Sequence, residues 1–142
     1  MTGLVIKLKP NEKVLVNGVV LKNGDKAARI RVRSSDVSIL RARDAMLKED
    51  ADTPLKRVYY IAQLAMAGEA DPHLASEQIL EGLKPLKSIF FGEAGEDIIR
   101  AGDAARDGKF FVVMRAVKRQ FEFERALLER ASAAAPATAI AS

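Results

Sequence analysis

Three arginines alternate with apolar residues along Ala28-Arg29-Ile30-Arg31-Val32-Arg33. If this run is a strand, its period of two puts all three guanidiniums on one face while Ile30 and Val32 point into a core. Same-face residues lie about 7 Å apart along a strand, comparable with the spacing of phosphates in a nucleic-acid backbone, so such a row can track a polyanion. Lys7 and Lys9 repeat the alternation earlier in the chain, and Arg41 and Arg43 follow it. Lys56 and Arg57 extend the positive charge to the start of the helical half. Lys9, Arg29, Arg31, Arg33, Arg41, Arg43, Lys56 and Arg57 are therefore the candidate phosphate contacts. The competing reading is that exposed cations merely keep strand edges from pairing with other chains. No aromatic residue precedes Tyr59. A base-stacking platform is thus not expected, and an RNA would be held through phosphates, shape and a few base edges.

Other chemistry finds little support. The chain has no cysteine, which excludes disulfides, thiolate zinc sites and thiol catalysis. Its single histidine, His73, cannot build a multi-histidine metal site and falls at a helix start, where a surface or capping role suffices. Ser34 and Ser35 have no histidine that spacing would bring near them. Glu96 and Asp97 sit near a helix start and are accounted for by the helix dipole. Glu122, Glu124 and Glu129 interleave with Arg119, Arg125 and Arg130 as a solvated face with intrahelical pairs would. Gly92 and Gly95 follow no strand and match no nucleotide-binding fingerprint. No catalytic constellation assembles, so the expectation is a protein that is not an enzyme and takes no cofactor or metal.

Charge points the same way as the arginine row. Residues 1–48 hold 11 Lys and Arg against 4 Asp and Glu, a net +7, which leaves −3 for residues 49–142 of the whole-chain +4. A polyanion should meet the N-terminal block first. Hydrophobic residues at 49% and charged ones at 30% suit a folded chain, and 142 residues suit one domain or two small units sharing a core. Leu4-Val5-Ile6 gives way to Lys7 too soon for a signal peptide, and no run approaches the roughly 20 apolar residues that span a bilayer. A cytoplasmic protein without membrane contact is expected.

The pattern predicts an α+β chain. Leu4, Ile6 and Leu8 alternate as a half-buried strand does and stop at Pro10-Asn11-Glu12. Lys13–Val16 and Val19–Lys22 flank Asn17-Gly18, the signature of a type I′ hairpin. Asn23-Gly24-Asp25 then leads into residues 27–33, and Ser34-Ser35-Asp36 into 37–40. About five short antiparallel strands result, a basic β meander over residues 1–50, as a small sheet or flattened barrel. A bundle of three to four helices follows over 51–131, and an uncharged tail, 132–142, should be disordered. Thr53-Pro54 and Asp71-Pro72 are helix starts, Gly68 is a stop, and Gly82 with Pro85 predicts a break. A shorter helix is expected over 94–105, and Asp107 can cap the last and longest one, 109 to about 131. Phe90-Phe91 and Phe110-Phe111 place aromatics about 100° apart on a helix, so either one of each pair stays outside the core or the helical layer buries all four. Nothing in the pattern sets the oligomeric state.

Specific residues carry a family likeness. Leu8-Lys9-Pro10-Asn11-Glu12, then Val16-Asn17-Gly18-Val19-Val20 and Asn23-Gly24-Asp25, resembles the opening of the FlbT family of flagellin regulators. Leu40-Arg41-Ala42-Arg43-Asp44-Ala45-Met46 and Thr53-Pro54-Leu55-Lys56-Arg57-Val58-Tyr59-Tyr60 resemble the family's next two blocks in the same order. The likeness is continuous over residues 4–60 and looser to about Arg130. The family's usual arginine after Asn-Gly-Asp is Lys26 here, which keeps the charge but not the fork-shaped donor. The resemblance implies post-transcriptional control: binding of the 5′ untranslated leader of flagellin mRNA, with an effect on its translation or stability whose sign differs among members. It also implies a small partner, FlaF, and a link to flagellin itself, and no defined catalytic site. The alternative is a protein adaptor or flagellin chaperone-like factor, acting through FlaF or flagellin with only indirect effects on the mRNA.

Overall fold

A computed structural model of the chain describes residues 4–16, 19–34, 37, 39–41 and 45–134. Five strands come first: Leu4–Leu8 (β1), Lys13–Val16 (β2), Val19–Lys22 (β3), Ala28–Val32 (β4) and Ile39–Arg41 (β5). Five helices follow: Pro54–Met66 (α1), Pro72–Leu83 (α2), Gly92–Arg106 (α3), Phe110–Lys118 (α4) and Phe121–Ala134 (α5). The fold is α+β, with every strand pair antiparallel. Pairing reaches beyond chain neighbours, because β1 pairs with β4 as a two-stranded ribbon while β3, β2 and β5 form a second sheet in that order. The β2–β3 register sets Val16 opposite Val19, which leaves the two residues a tight hairpin requires. Asn17-Gly18 itself lies outside the described residues.

Side-chain alternation explains how these layers stack. Val14 and Val16 of β2 and Ile39 of β5 join Ile6, Leu8 and Val32 in a small cluster between the ribbon and the sheet. Leu15 and Leu40, on the opposite face and directly across from each other, join the large helical core with Leu55, Tyr59, Ile79, Ile98 and Val117. The β2–β5 pair is therefore covered on both faces, by the ribbon's apolar side chains on one and by the helical core on the other. Gln63 of α1, itself buried, fixes the connection: its side chain accepts from the Met46 amide at 2.7 Å and donates to the Met46 carbonyl at 2.9 Å.

The helix starts follow their caps. Thr53 accepts from the Lys56 amide at 3.2 Å and Asp71 from the Leu74 amide at 3.0 Å, each just before a proline at the first helical position. α2 ends at Leu83 and a 3₁₀ turn, Lys84–Ser88, carries Pro85, as the Gly82 and Pro85 signals predict. The predicted last helix is in fact two. Its break at Arg119-Gln120 has no proline or glycine behind it; there the buried Asp97 of α3 accepts from Gln120 at 2.7 Å, and its carboxylate lies 3.7 Å from Arg119. Asp107 caps nothing there: it closes α3, and Lys109 precedes α4 with no side-chain cap. The helical pattern also persists into the expected tail, through Ala134, and the remainder of that tail is outside the described residues.

Candidate nucleic-acid interface

Register converts the alternating arginines into a surface. Lys7 stands opposite Arg29 and Val5 opposite Arg31, and cross-strand partners share a face, so Lys7, Arg29 and Arg31 project from one side of the β1–β4 ribbon. Ile6 and Leu8 turn the other way and are buried; Ile30, across from Ile6, remains 38% exposed. Lys9 and Arg33 follow at opposite ends of the ribbon, and all five cations are exposed. Among the described residues none of the five makes an ion pair. Like charges directly across a ladder destabilise it. The ribbon holds Lys7 opposite Arg29 with no ion pair to either among the described residues.

A hydrogen-bonded interlock between turns holds this ribbon in place. The Asn23 side-chain amide donates to the Lys9 carbonyl at 2.8 Å and to the Lys26 carbonyl at 2.9 Å, joining the end of β1 to the approach to β4. Backbone bonds from Asn11 to Gly24 and from Asn23 to Glu12, both 2.8 Å, tie the same two turns. Asn11 takes φ 62°, a left-handed conformation that asparagine tolerates better than most residues. Glu12 accepts from the Lys9 amide and takes the Arg41 guanidinium in a fork, from Nε at 2.8 Å and from Nη2 at 2.7 Å. Arg41 also donates to the Lys7 carbonyl. The turn residues that carry the family likeness are thus the fasteners that bring β1 beside β4.

The predicted contacts therefore separate by position. Lys9, Arg29, Arg31 and Arg33 belong to the ribbon. Arg41 is engaged by Glu12, Lys56 and Arg57 lie on the first turns of α1 with Lys56 3.9 Å from Asp52, and Arg43 lies outside the described residues. Lys7, noted in the sequence only as an echo of the alternation, is the residue that register adds. His73 is exposed at the start of α2, and no group of three or more His, Asp or Glu among the described residues could hold a metal. No helix among them is long and apolar enough to cross a membrane.

Two acidic residues, Glu124 read as solvated charge and Asp97 as helix-dipole support, have internal work. Glu124 is buried and accepts from the Thr53 hydroxyl and, at 2.8 Å, from the Leu55 amide, so α5 caps α1 across 69 residues of chain. Glu122 and Glu129 do pair with Arg125 on the exposed face, as expected. Asp97, buried among Arg100, Arg119 and Gln120, does more than favour its own helix dipole.

Comparison with known proteins bears on this arrangement. A family model described as "Flagellar protein FlbT" matches residues 4–128. The chain belongs to the FlbT family. A probable flagellum biosynthesis repressor protein FlbT 1 of Bradyrhizobium diazoefficiens is 43% identical over 62 residues, covering 44% of this chain and 42% of that one. A probable flagellum biosynthesis repressor protein FlbT of Caulobacter sp. strain K31 is 35% identical over 86 residues, covering 61% and 65%. The chain thus spans less than two thirds of the length of these two FlbT relatives. The Agrobacterium fabrum protein of the same name is 26% identical over 126 residues, covering 88% of this chain and 83% of its own. The resemblance read from the turns therefore extends through the helices. No solved structure matches the chain.

Proposed function

We propose that this protein is a regulator of flagellar synthesis that acts after transcription, holding the 5′ untranslated leader of flagellin mRNA on the basic face of the β1–β4 ribbon. The observation that carries the reading is the gathering of Lys7, Lys9, Arg29, Arg31 and Arg33 with no ion pair among the described residues. Edge protection alone needs one or two cations, not opposed cations at one rung. A polyanion laid along the ribbon removes that repulsion and gains a charge-assisted contact at each step of about 7 Å. Arg41 acts here as a positioning residue through Glu12, with Lys56 and Arg57 as a second patch on α1. That the relatives carry the name of flagellum biosynthesis repressors, rather than of enzymes, suits a binding role in the cytoplasm.

The test is anisotropy of a labelled flagellin leader RNA with the wild-type chain and with R29A/R31A/R33A. Tight binding by the first and at least tenfold weaker binding by the second is expected; equal affinity overturns the assignment. One observation favours the second reading, an adaptor acting through FlaF or flagellin: Phe91 is 74% exposed beside the buried Phe90. A pull-down that retains FlaF or flagellin after nuclease, from protein that ignores the purified leader, selects the adaptor.

A further inference from the structure

A groove of about 890 Å³, at the upper end of the range for ligand clefts, runs between the β unit and α4. Its walls are unusual in their periodicity. Seven consecutive residues, from Leu4 through Pro10, line it, and so do Ile39, Leu40 and Arg41 in succession. A groove over the face of a strand touches alternate residues, so consecutive lining means that it runs along the strands' edges. Both strands are edges among the described residues, since β1 pairs only with β4 and β5 only with β2. Where a closed barrel would join β1 to β5 by backbone hydrogen bonds, the Arg41 side chain reaches across to the Lys7 carbonyl instead. The floor is apolar and helical: Phe111 and Met114 lie along α4, and Arg115 stacks over the Phe111 ring at 5.5 Å.

We propose that this groove is a docking site for an extended, acidic and apolar segment of a protein partner, which adds as a strand between the edges of β1 and β5 and takes over the Lys7 carbonyl from Arg41. Strand edges supply main-chain donors and acceptors to such a segment, and alternate side chains then face the apolar floor and the solvent rim. Charge complementarity selects the partner. Among the described residues no Asp or Glu lines the groove, while Lys7, Lys9, Arg115 and Lys118 do, and none of these four makes an ion pair there. A second copy of this chain is disfavoured by the same charges, because its exposed strands, Val19–Lys22 and Ala28–Val32, carry cations of their own. RNA is disfavoured by the floor, which offers Leu4, Met114 and Phe111 where a sugar–phosphate backbone needs polar partners. The groove shares Lys7 and Lys9 with the basic face of the RNA reading, whereas Arg29, Arg31 and Arg33 do not line it.

The experiment uses the full chain and a fluorescein-labelled peptide of alternating Glu and Val, eight residues long, with the Lys and Val counterpart as control. The acidic peptide is expected to bind and the basic one not. Amide exchange is expected to slow at Val5 and Lys7 of β1, and R115E/K118E, two exposed positions on α4, is expected to weaken binding at least tenfold with thermal midpoint unchanged. Equal binding of both peptides, protection elsewhere than β1 and β5, or no binding at millimolar peptide overturns the proposal. Displacement of the peptide by short oligonucleotides from wild type and from R29A/R31A/R33A alike makes the groove an RNA contact, and a concentration-dependent dimer that excludes the peptide makes it a self-interface; either result also overturns it. Loss of leader binding in R29A/R31A/R33A with peptide affinity intact shows the two sites to be separate.

Discussion

Replacing Glu124 by alanine should destabilise the chain far more than the same change at Glu122 or Glu129 of the same helix. Glu124 is 4% exposed, and its two oxygens take the Thr53 hydroxyl and the Leu55 amide, one of the free donors at the start of α1. A hydrogen bond to a charged group contributes about 1.5–3 kcal/mol, and a buried amide left without a partner costs about 1–3 kcal/mol. Allowing for overlap between these effects and for water entering the vacated space, E124A should cost about 3–4 kcal/mol. For a chain of this size that is about 10 °C in thermal midpoint. E124Q keeps one acceptor oxygen and should fall between E124A and wild type. Glu122 and Glu129 pair only with Arg125 at side-chain exposures of 60–79%, so E122A and E129A should leave the midpoint where it is. Circular dichroism melts of the four variants decide the matter. E124A melting together with E122A would refute the buried cap and return all three glutamates to the solvated face that their spacing suggests.

Other perturbations test the remaining joints. F90A should cost about 3–5 kcal/mol, because Phe90 is buried and meets Phe123 edge-on at 5.4 Å, whereas F91A should stay within about 0.5 kcal/mol; urea midpoints read both. R41A removes a forked, largely buried contact to Glu12 and should cost about 2 kcal/mol, with faster amide exchange in β1 and none in α3. G95A should destabilise by about 1–3 kcal/mol although alanine favours helices by about 1, since its Cβ would come within 2.8 Å of the Phe90 carbonyl oxygen. A stabilised G95A in urea titration would contradict that packing.

How much of this was legible in the sequence depends on the reach of the cause. Thr53-Pro54, Asp71-Pro72 and the Asn23-Gly24 turn act within a few residues, and they mark element boundaries that the structure keeps. The split between α4 and α5 was invisible because its cause, Asp97, lies more than 20 residues upstream and its side chain looked like ordinary helix-dipole support. Glu124 was misread for the same reason: its spacing on α5 matches that of Glu122 and Glu129, and only the approach of α1 distinguishes it. The Phe pairs left open whether one ring of each stays outside or all four are buried; Phe91 is exposed beside the buried Phe90, while Phe111 is half-buried beside the buried Phe110. For the candidate site, strand phase placed Arg29 and Arg31 on one face, while the addition of Lys7 needed the β1–β4 register, a pairing between strands that are not neighbours in the chain. Arg41 looked like the other cations until Glu12 was found beside it.

The central claim is that opposed cations on the β1–β4 ribbon hold a single-stranded leader by its phosphates. Its most direct measurement is the affinity of the flagellin leader as a function of salt, for the wild-type chain and for R29A/R31A/R33A. Single-strand binding through Z phosphates gives a log–log slope of about −0.7Z, so removing three contacts should make the slope shallower by about 2. Wild-type binding that falls steeply with salt, and a variant that is both weaker and less salt-sensitive, is the predicted result. A flat response in the wild type, or the same slope in both chains, would contradict it.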